Sequence, residues 1–121
     1  MEGKRIMVID DENIVGKMIK VSFERDGYIV ETFVHADPAM KRLSEEKFDL
    51  VITDLKMKDI DGMEVLKRIK KESPETKVIM ITAYASMDTS IEAFREKADD
   101  FFPKPIKISD LKERVATLLG G

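Results

Sequence analysis

The sequence predicts an α/β fold: a doubly wound, five-stranded parallel sheet flanked by five helices. Two observations predict it. Five short apolar runs recur at roughly 20–28-residue intervals along the chain. The stretches between them carry apolar residues at helical spacing instead. Alternation βαβαβαβαβα predicts parallel strands, right-handed crossovers and helices on both faces of one sheet.

The first run, IMVI at 6–9, is continuous rather than alternating, as suits a strand covered on both faces. Val15, Met18, Ile19 and Phe23 then share one helical face, and Gly27 closes that helix at the C′ position. The second run, YIVETF at 28–33, alternates more, as an edge strand does. Ala36, Ala39, Met40 and Leu43 mark a second helix, with Asp37 as N-cap and Pro38 at the first helical position. The third strand is LVIT at 50–53, running into Asp54. Val65, Leu66 and Ile69 mark the helix after it, which ESPE ends. VIMIT at 78–82 is the fourth strand, and Met87, Ile91 and Phe94 mark the fourth helix. DFF at 100–102 is the fifth strand. Ile108, Leu111, Val115 and Leu118 step along the last helix, with Ser109 as its cap. The methionines read as core filler. No linker or repeat interrupts the pattern, so one domain is expected over residues 1–121.

Composition excludes several functions. Lys plus Arg number 21 and Asp plus Glu 24, a net charge of −3, which is no footprint for nucleic-acid binding. The chain has no Cys, so neither a disulfide nor a thiolate-bound metal is available. The longest apolar runs are four or five residues, against the about 20 that a membrane span needs. No long apolar stretch follows the two N-terminal cations, so no signal peptide is read. A soluble, cytoplasmic protein is expected.

The first strand drives directly into three acids, Asp10, Asp11 and Glu12. In open α/β sheets, ligands sit beyond the carboxyl ends of the strands. That rim should also receive Asp54 from the third strand, Thr82 from the fourth, and Lys104, which follows Pro103 after the fifth. Three carboxylates together repel one another, and a hard divalent cation such as Mg²⁺ resolves the conflict with oxygen ligands. A cation with open coordination positions, an ammonium and a hydroxyl together suit a phosphoryl group. One of the acids could serve as nucleophile and form an acyl phosphate. Each residue alone has a blander reading. Paired acids after a strand often start a helix, a strand-end Asp is often a cap, and a Lys before Pro is usually solvated. The specificity lies in four of five strands ending in complementary chemistry. The one histidine, His35, reads as a surface loop residue.

From end to end, the chain resembles a two-component response-regulator receiver domain. The resemblance is carried by VIDDE, DLVITDLKMKDIDGMEVL, VIMITAYAS and DDFFPKPI, with Asp10–Asp11, Asp54, Thr82 and Lys104–Pro105 in that order. It implies a flavodoxin-like sheet of order 2-1-3-4-5. It implies that Asp54 accepts a phosphoryl group from a phosphohistidine on a sensor histidine kinase. Asp10, Asp11, Asp54 and the backbone carbonyl of Lys56 would hold Mg²⁺, and Lys104 would contact the phosphoryl oxygens. Thr82 would move to the phosphate, with Phe101 at the switch aromatic position. The surface of the fourth helix, fifth strand and fifth helix would change, and a partner or a second copy would dock there as a homodimer. Such a protein catalyses only its own phosphorylation and dephosphorylation. The Lys104–Pro105 bond would be cis. TAYAS and PETKVIMIT look like receivers of transcriptional activators with a central ATPase.

The chain departs from that family's pattern in three places. Lys58 replaces a usual Pro, which implies a looser loop. Lys97 replaces a usual Gly, which puts a left-handed turn in doubt. Phe101 replaces the commoner Tyr and lacks its hydroxyl. Two competing readings stand beside the switch. A phosphohydrolase of the haloacid-dehalogenase type wants a second acid where this chain has Lys56. A phosphate-independent pseudo-receiver would have lost one of the site residues, and all are present.

Overall fold

A computed structural model of the chain describes residues 3–120. The five apolar runs form β1 (Arg5–Ile9), β2 (Ile29–Phe33), β3 (Leu50–Asp54), β4 (Lys77–Thr82) and β5 (Asp100–Pro103). The helices between and after them are α1 (Asn13–Glu24), α2 (Ala36–Glu45), α3 (Gly62–Glu72), α4 (Met87–Arg95) and α5 (Ile108–Leu118). All strand pairs are parallel, and the sheet order is β2-β1-β3-β4-β5. The continuous apolar runs are the central strands, and β3 is buried along its whole length. β2 and β5, at the edges, are only half buried. No helix among the described residues is long and apolar enough to cross a membrane.

Two apolar layers cover the sheet, one on each face. Ile6, Val8, Ile52, Ile79 and Ile81 point to one face and pack with Ile19 and Phe23 of α1 and with Leu111 and Val115 of α5. Met7, Ile9, Val51, Val78 and Met80 point to the other and pack with residues of α2, α3 and α4. The alternation of side chains along each strand makes this division, since neighbours in a strand face opposite ways. Burial on both faces is why these strands read as unbroken apolar runs.

Local chemistry sets the helix ends, and here some sequence expectations need correction. Gly27, at φ 90°, does close α1 as C′. Tyr28 N donates to Phe23 O and Gly27 N to Glu24 O, the paired bonds of a Schellman motif. The Phe23 and Tyr28 rings pack beside it, tilted 48° to each other with centroids 5.4 Å apart. α2, however, begins at Ala36, ahead of the expected Asp37 cap. His35 occupies the N-cap without a side-chain bond. Asp59, from the loop after β3, accepts from Ala36 N at 2.8 Å and supplies the missing partner. In α5 the N-cap falls on Lys107, and Ser109 lies inside the first turn. Met87 and Met18 are exposed, so those two methionines are not core filler. Lys97 keeps a left-handed conformation at φ 70° although it is not Gly, so the turn there is retained. The Lys104–Pro105 bond is cis.

Candidate functional site

Parallel registry delivers the site. Ile9 pairs with Thr53, Asp54 with Ile81, and Thr82 with Pro103. Asp10, Asp54, Thr82 and Lys104 therefore leave the sheet at one rim. There a cleft of about 560 Å³ is lined by Asp11, Glu12, Asp54, Lys56, Tyr84 and Lys104 among others. The opposite rim shows what an ordinary strand-end acid does. Asp49 accepts from Arg5 N, and Asp99 accepts from Val78 N and Lys70 Nζ. Those acids tie down backbone and one lysine.

The rim acids are placed differently. Asp10 and Asp54 are buried, with relative exposures of 2% and 4%, and Asp11 is half buried. One oxygen of each buried acid serves the backbone: Asp10 Oδ1 accepts from Glu12 N at 2.8 Å and Asp54 Oδ1 from Lys56 N at 3.3 Å. The other oxygen of each faces Lys104. Its ammonium lies 2.8 Å from Asp10 Oδ2, 3.3 Å from Asp54 Oδ2 and 2.8 Å from Glu12 Oε1. The contact with Asp10 Oδ2 is an ion pair without hydrogen-bond alignment, so that buried oxygen has no hydrogen-bond partner.

The electrostatics follow from burial and crowding. Burial is the largest influence on Asp54, followed by the Asp10 carboxylate, and its pKa is pushed up from 3.8 to about 6. Lys104 and the Lys56 amide oppose this but do not cancel it. Burial alone would lower the pKa of Lys104. Its contacts with Asp10, Glu12 and Asp54 outweigh that and hold it above its ordinary value.

Asp10, Asp11 and Asp54 each offer a carboxylate oxygen, and these atoms lie within 4.8 Å of one another. An all-oxygen donor set with a buried oxygen lacking a hydrogen-bond partner fits a hard divalent cation. Lys56 lies on the loop after Asp54, bridged to Asp61, with its side chain exposed. Thr82 is fully buried, and its hydroxyl accepts from Tyr84 N at 2.9 Å. Phe101 is half buried, pairs with Met80 and packs on the core beneath α3 and α4. Thr82 and Phe101 thus share a sheet face, two residues apart in register.

Two positions that shape the site escaped sequence reasoning. Glu12 reads as a third acid in a run, and nothing local shows that its partner lies 92 residues away. Gly62 donates to Leu55 O at 2.8 Å and brings α3 against the backbone of Asp54. Its signal was the DG pair ahead of a helical stripe.

Comparison with known proteins identifies the family and the fold. Residues 6–116 match the family model for the response regulator receiver domain. The chain is 34% identical over 119 residues to the response regulator protein PilR of Pseudomonas aeruginosa, covering 98% of itself and 27% of PilR. It thus spans about a quarter of the length of such curated relatives. A CheY-like receiver domain protein from Methanospirillum hungatei superposes with a TM-score of 0.94 at 33% identity, covering 98% of this chain and 95% of that one. A Burkholderia pseudomallei response regulator, solved with a phosphorylated aspartic acid, a calcium ion and citrate, gives 0.88 at 26% identity, over 97% and 69%. The beryllofluoride-activated NtrC4 receiver domain, a dimer in solution, gives 0.91 at 29% identity, over 96% of each chain.

Proposed function

The chain belongs to the response regulator receiver domain family, whose members are switches controlled by aspartate phosphorylation, and on that footing we propose that Asp54 is the acceptor. The observation that carries the assignment is the meeting of Asp10, Asp54 and Lys104 at one rim, with Lys104 Nζ 3.3 Å from Asp54 Oδ2. A carboxylate oxygen of Asp54 attacks the phosphorus of a phosphohistidine on a sensor histidine kinase. A P–O bond forms, the P–N bond breaks, and its electron pair stays with the imidazole. Lys104 faces the phosphoryl oxygens and offsets their charge. Asp10, Asp11, Asp54 and the Lys56 carbonyl are the ligands we assign to Mg²⁺. When bound, the cation supplies charge neutralisation at the carboxylates and phosphoryl oxygens.

The output reading follows from the same face of the sheet. The Thr82 hydroxyl, which accepts from the Tyr84 amide at rest, moves to donate to a phosphoryl oxygen, and Phe101 follows it inward. Shifting a population from 1:99 to 99:1 takes about 5.5 kcal/mol, whereas one hydrogen bond to a charged acceptor contributes about 1.5–3 kcal/mol. Lys104 and the loop after Asp54 supply the remainder. The α4-β5-α5 surface then accepts a second copy. Met87, Ile91 and Phe94 are already exposed on α4, and the activated NtrC4 receiver is itself a dimer. We read the chain as one cytoplasmic domain that catalyses only its own phosphorylation and dephosphorylation and does not itself bind nucleic acid.

Acetyl phosphate with Mg²⁺ tests this. The protein should gain one phosphoryl group by mass spectrometry, and Asp54→Asn should gain none. Full-stoichiometry gain in Asp54→Asn would place the acceptor elsewhere. Continuous turnover without a stable adduct would favour a hydrolase.

A further inference from the structure

We propose that Glu12 is a positioning residue for phosphoryl acceptance: it holds the Lys104 ammonium at rest and releases it when Asp54 takes up a phosphoryl group. This rests on Asp54 being the acceptor.

Glu12 occupies the N-cap of α1, where a side chain ordinarily bonds the first free amides of the helix. It makes no such bond. Its carboxylate reaches instead across the cleft to Lys104, at 2.8 Å. The ammonium has three protons and faces three acids. Its two close partners are Asp10 and Glu12, both at 2.8 Å, and its distant one is Asp54, at 3.3 Å. At rest, then, Lys104 is drawn toward the acids that do not accept phosphate.

Exposure decides which partner gives way. The side chains of Asp10 and Asp54 are 0% and 6% exposed, while that of Glu12 is 59% exposed. Released Glu12 rehydrates at once, whereas released Asp10 would be left as a buried, less compensated charge. A phosphoryl group on Asp54 adds charged acceptor oxygens beside the ammonium, and Glu12 is the partner they displace. In the transfer, an Asp54 oxygen bonds phosphorus, and the bond from phosphorus to the donor breaks with its electrons leaving on the donor. Lys104 keeps its protons throughout and changes only one hydrogen-bond partner.

Two substitutions separate reach from charge. Glu12→Gln removes the carboxylate. Glu12→Asp keeps the charge but shortens the side chain, and favours capping α1. Both should accept phosphate from acetyl phosphate about two- to five-fold faster than the parent, the scale of a half-exposed ion pair. In metal-free protein, nuclear magnetic resonance of the Lys104 ammonium should show faster proton exchange in both variants. If Glu12→Asp matches the parent while Glu12→Gln is faster, the cleft's charge acts rather than a hold on Lys104, and the proposal falls. It falls too if neither variant is faster, or if the Lys104 signal is unchanged. A parent protein that takes no phosphoryl group would show the acceptor assignment itself to be wrong, before any variant is compared, and the proposal would go with it.

Discussion

α3 and α4 follow neighbouring strands, and both carry apolar residues at helical spacing. They end in opposite circumstances. α3 buries Gly62, Met63, Val65, Leu66 and Ile69. α4 buries Ala93 alone and leaves Met87, Ile91 and Phe94 at 77%, 42% and 53% exposure. The reason is position in the sheet. α3 lies over β3, which is buried throughout, and α4 over β5, a half-buried edge strand of four residues. An apolar stripe fixes that a helix forms, and its neighbours decide whether the stripe is covered. A helix held by few buried side chains can shift at small free-energy cost. The proposed output surface is thus drawn from the weakly held helix and the proposed acceptor loop from beside the strongly held one.

Truncation gives the largest expected contrast. Leu66→Ala, at a fully buried site in α3, should destabilise the protein by about 3 kcal/mol in urea unfolding. Ile91→Ala in α4 should change stability by less than about 1 kcal/mol, yet weaken beryllofluoride-induced dimerisation in sedimentation. Comparable losses of stability from both would show that α4 is held as firmly as α3.

The start of α3 offers the next effect. A Cβ on Gly62 would overlap the Asp54 carbonyl oxygen and lie 2.8 Å from Leu55 Cα. Both obstacles are backbone, so neither can rotate away. Gly62→Ala should cost about 2–3 kcal/mol and slow phosphorylation, because relief of the clash moves Asp54 itself. Equal rates in variant and parent would show that the acceptor loop moves independently of α3.

The strand ends feeding the two helices also differ: Asp54 brings a charge and Thr82 does not. With its pKa raised to about 6, folded Asp54 holds a proton that the unfolded chain releases near pH 3.8. The stability from the neutral form is full below pH 3.8 and is lost as pH rises through about 6. Asp54→Asn, which cannot ionise, should therefore be more stable than the parent above that pH, by about 2 kcal/mol in metal-free buffer. The advantage should shrink toward pH 4. A difference independent of pH would mean that Asp54 is not held against ionisation.

How much of this was legible depends on the range of each cause. Strand runs and helix stripes are local, so every element was foreseeable, and alternation alone implied that Asp10, Asp54, Thr82 and Lys104 share a rim. Caps failed where the partner was distant. Asp37 has the chemistry of an N-cap, but Asp59 satisfies Ala36 N from another loop. Glu12 was invisible for the same reason, since its partner comes from the far end of the chain. The outward turn of the α4 stripe was hidden because Met87, Ile91 and Phe94 have the spacing of a buried face.

The smallest effect concerns the end of α4. Among the described residues, α1 and α4 end in the same C-terminal motif. After α1, Tyr28 N bonds Phe23 O and Gly27 N bonds Glu24 O; after α4, Ala98 N bonds Ala93 O and Lys97 N bonds Phe94 O. The left-handed residue is Gly27 at φ 90° in one and Lys97 at φ 70° in the other. A side chain in that conformation costs about 1–2 kcal/mol, while Gly gives back about 0.4–1 kcal/mol through greater freedom of the unfolded chain. The balance favours Gly slightly, so Lys97→Gly should stabilise the protein by about 0.5 kcal/mol. Buried Ala93 and Ala98 hold the turn closed in both, so the gain should come without change in phosphorylation rate. Gly27→Lys is the mirror experiment and should cost a similar amount. Loss of stability in Lys97→Gly would mean that the lysine makes a compensating interaction, and that the end of α4 is tied down more firmly than its exposed face implies.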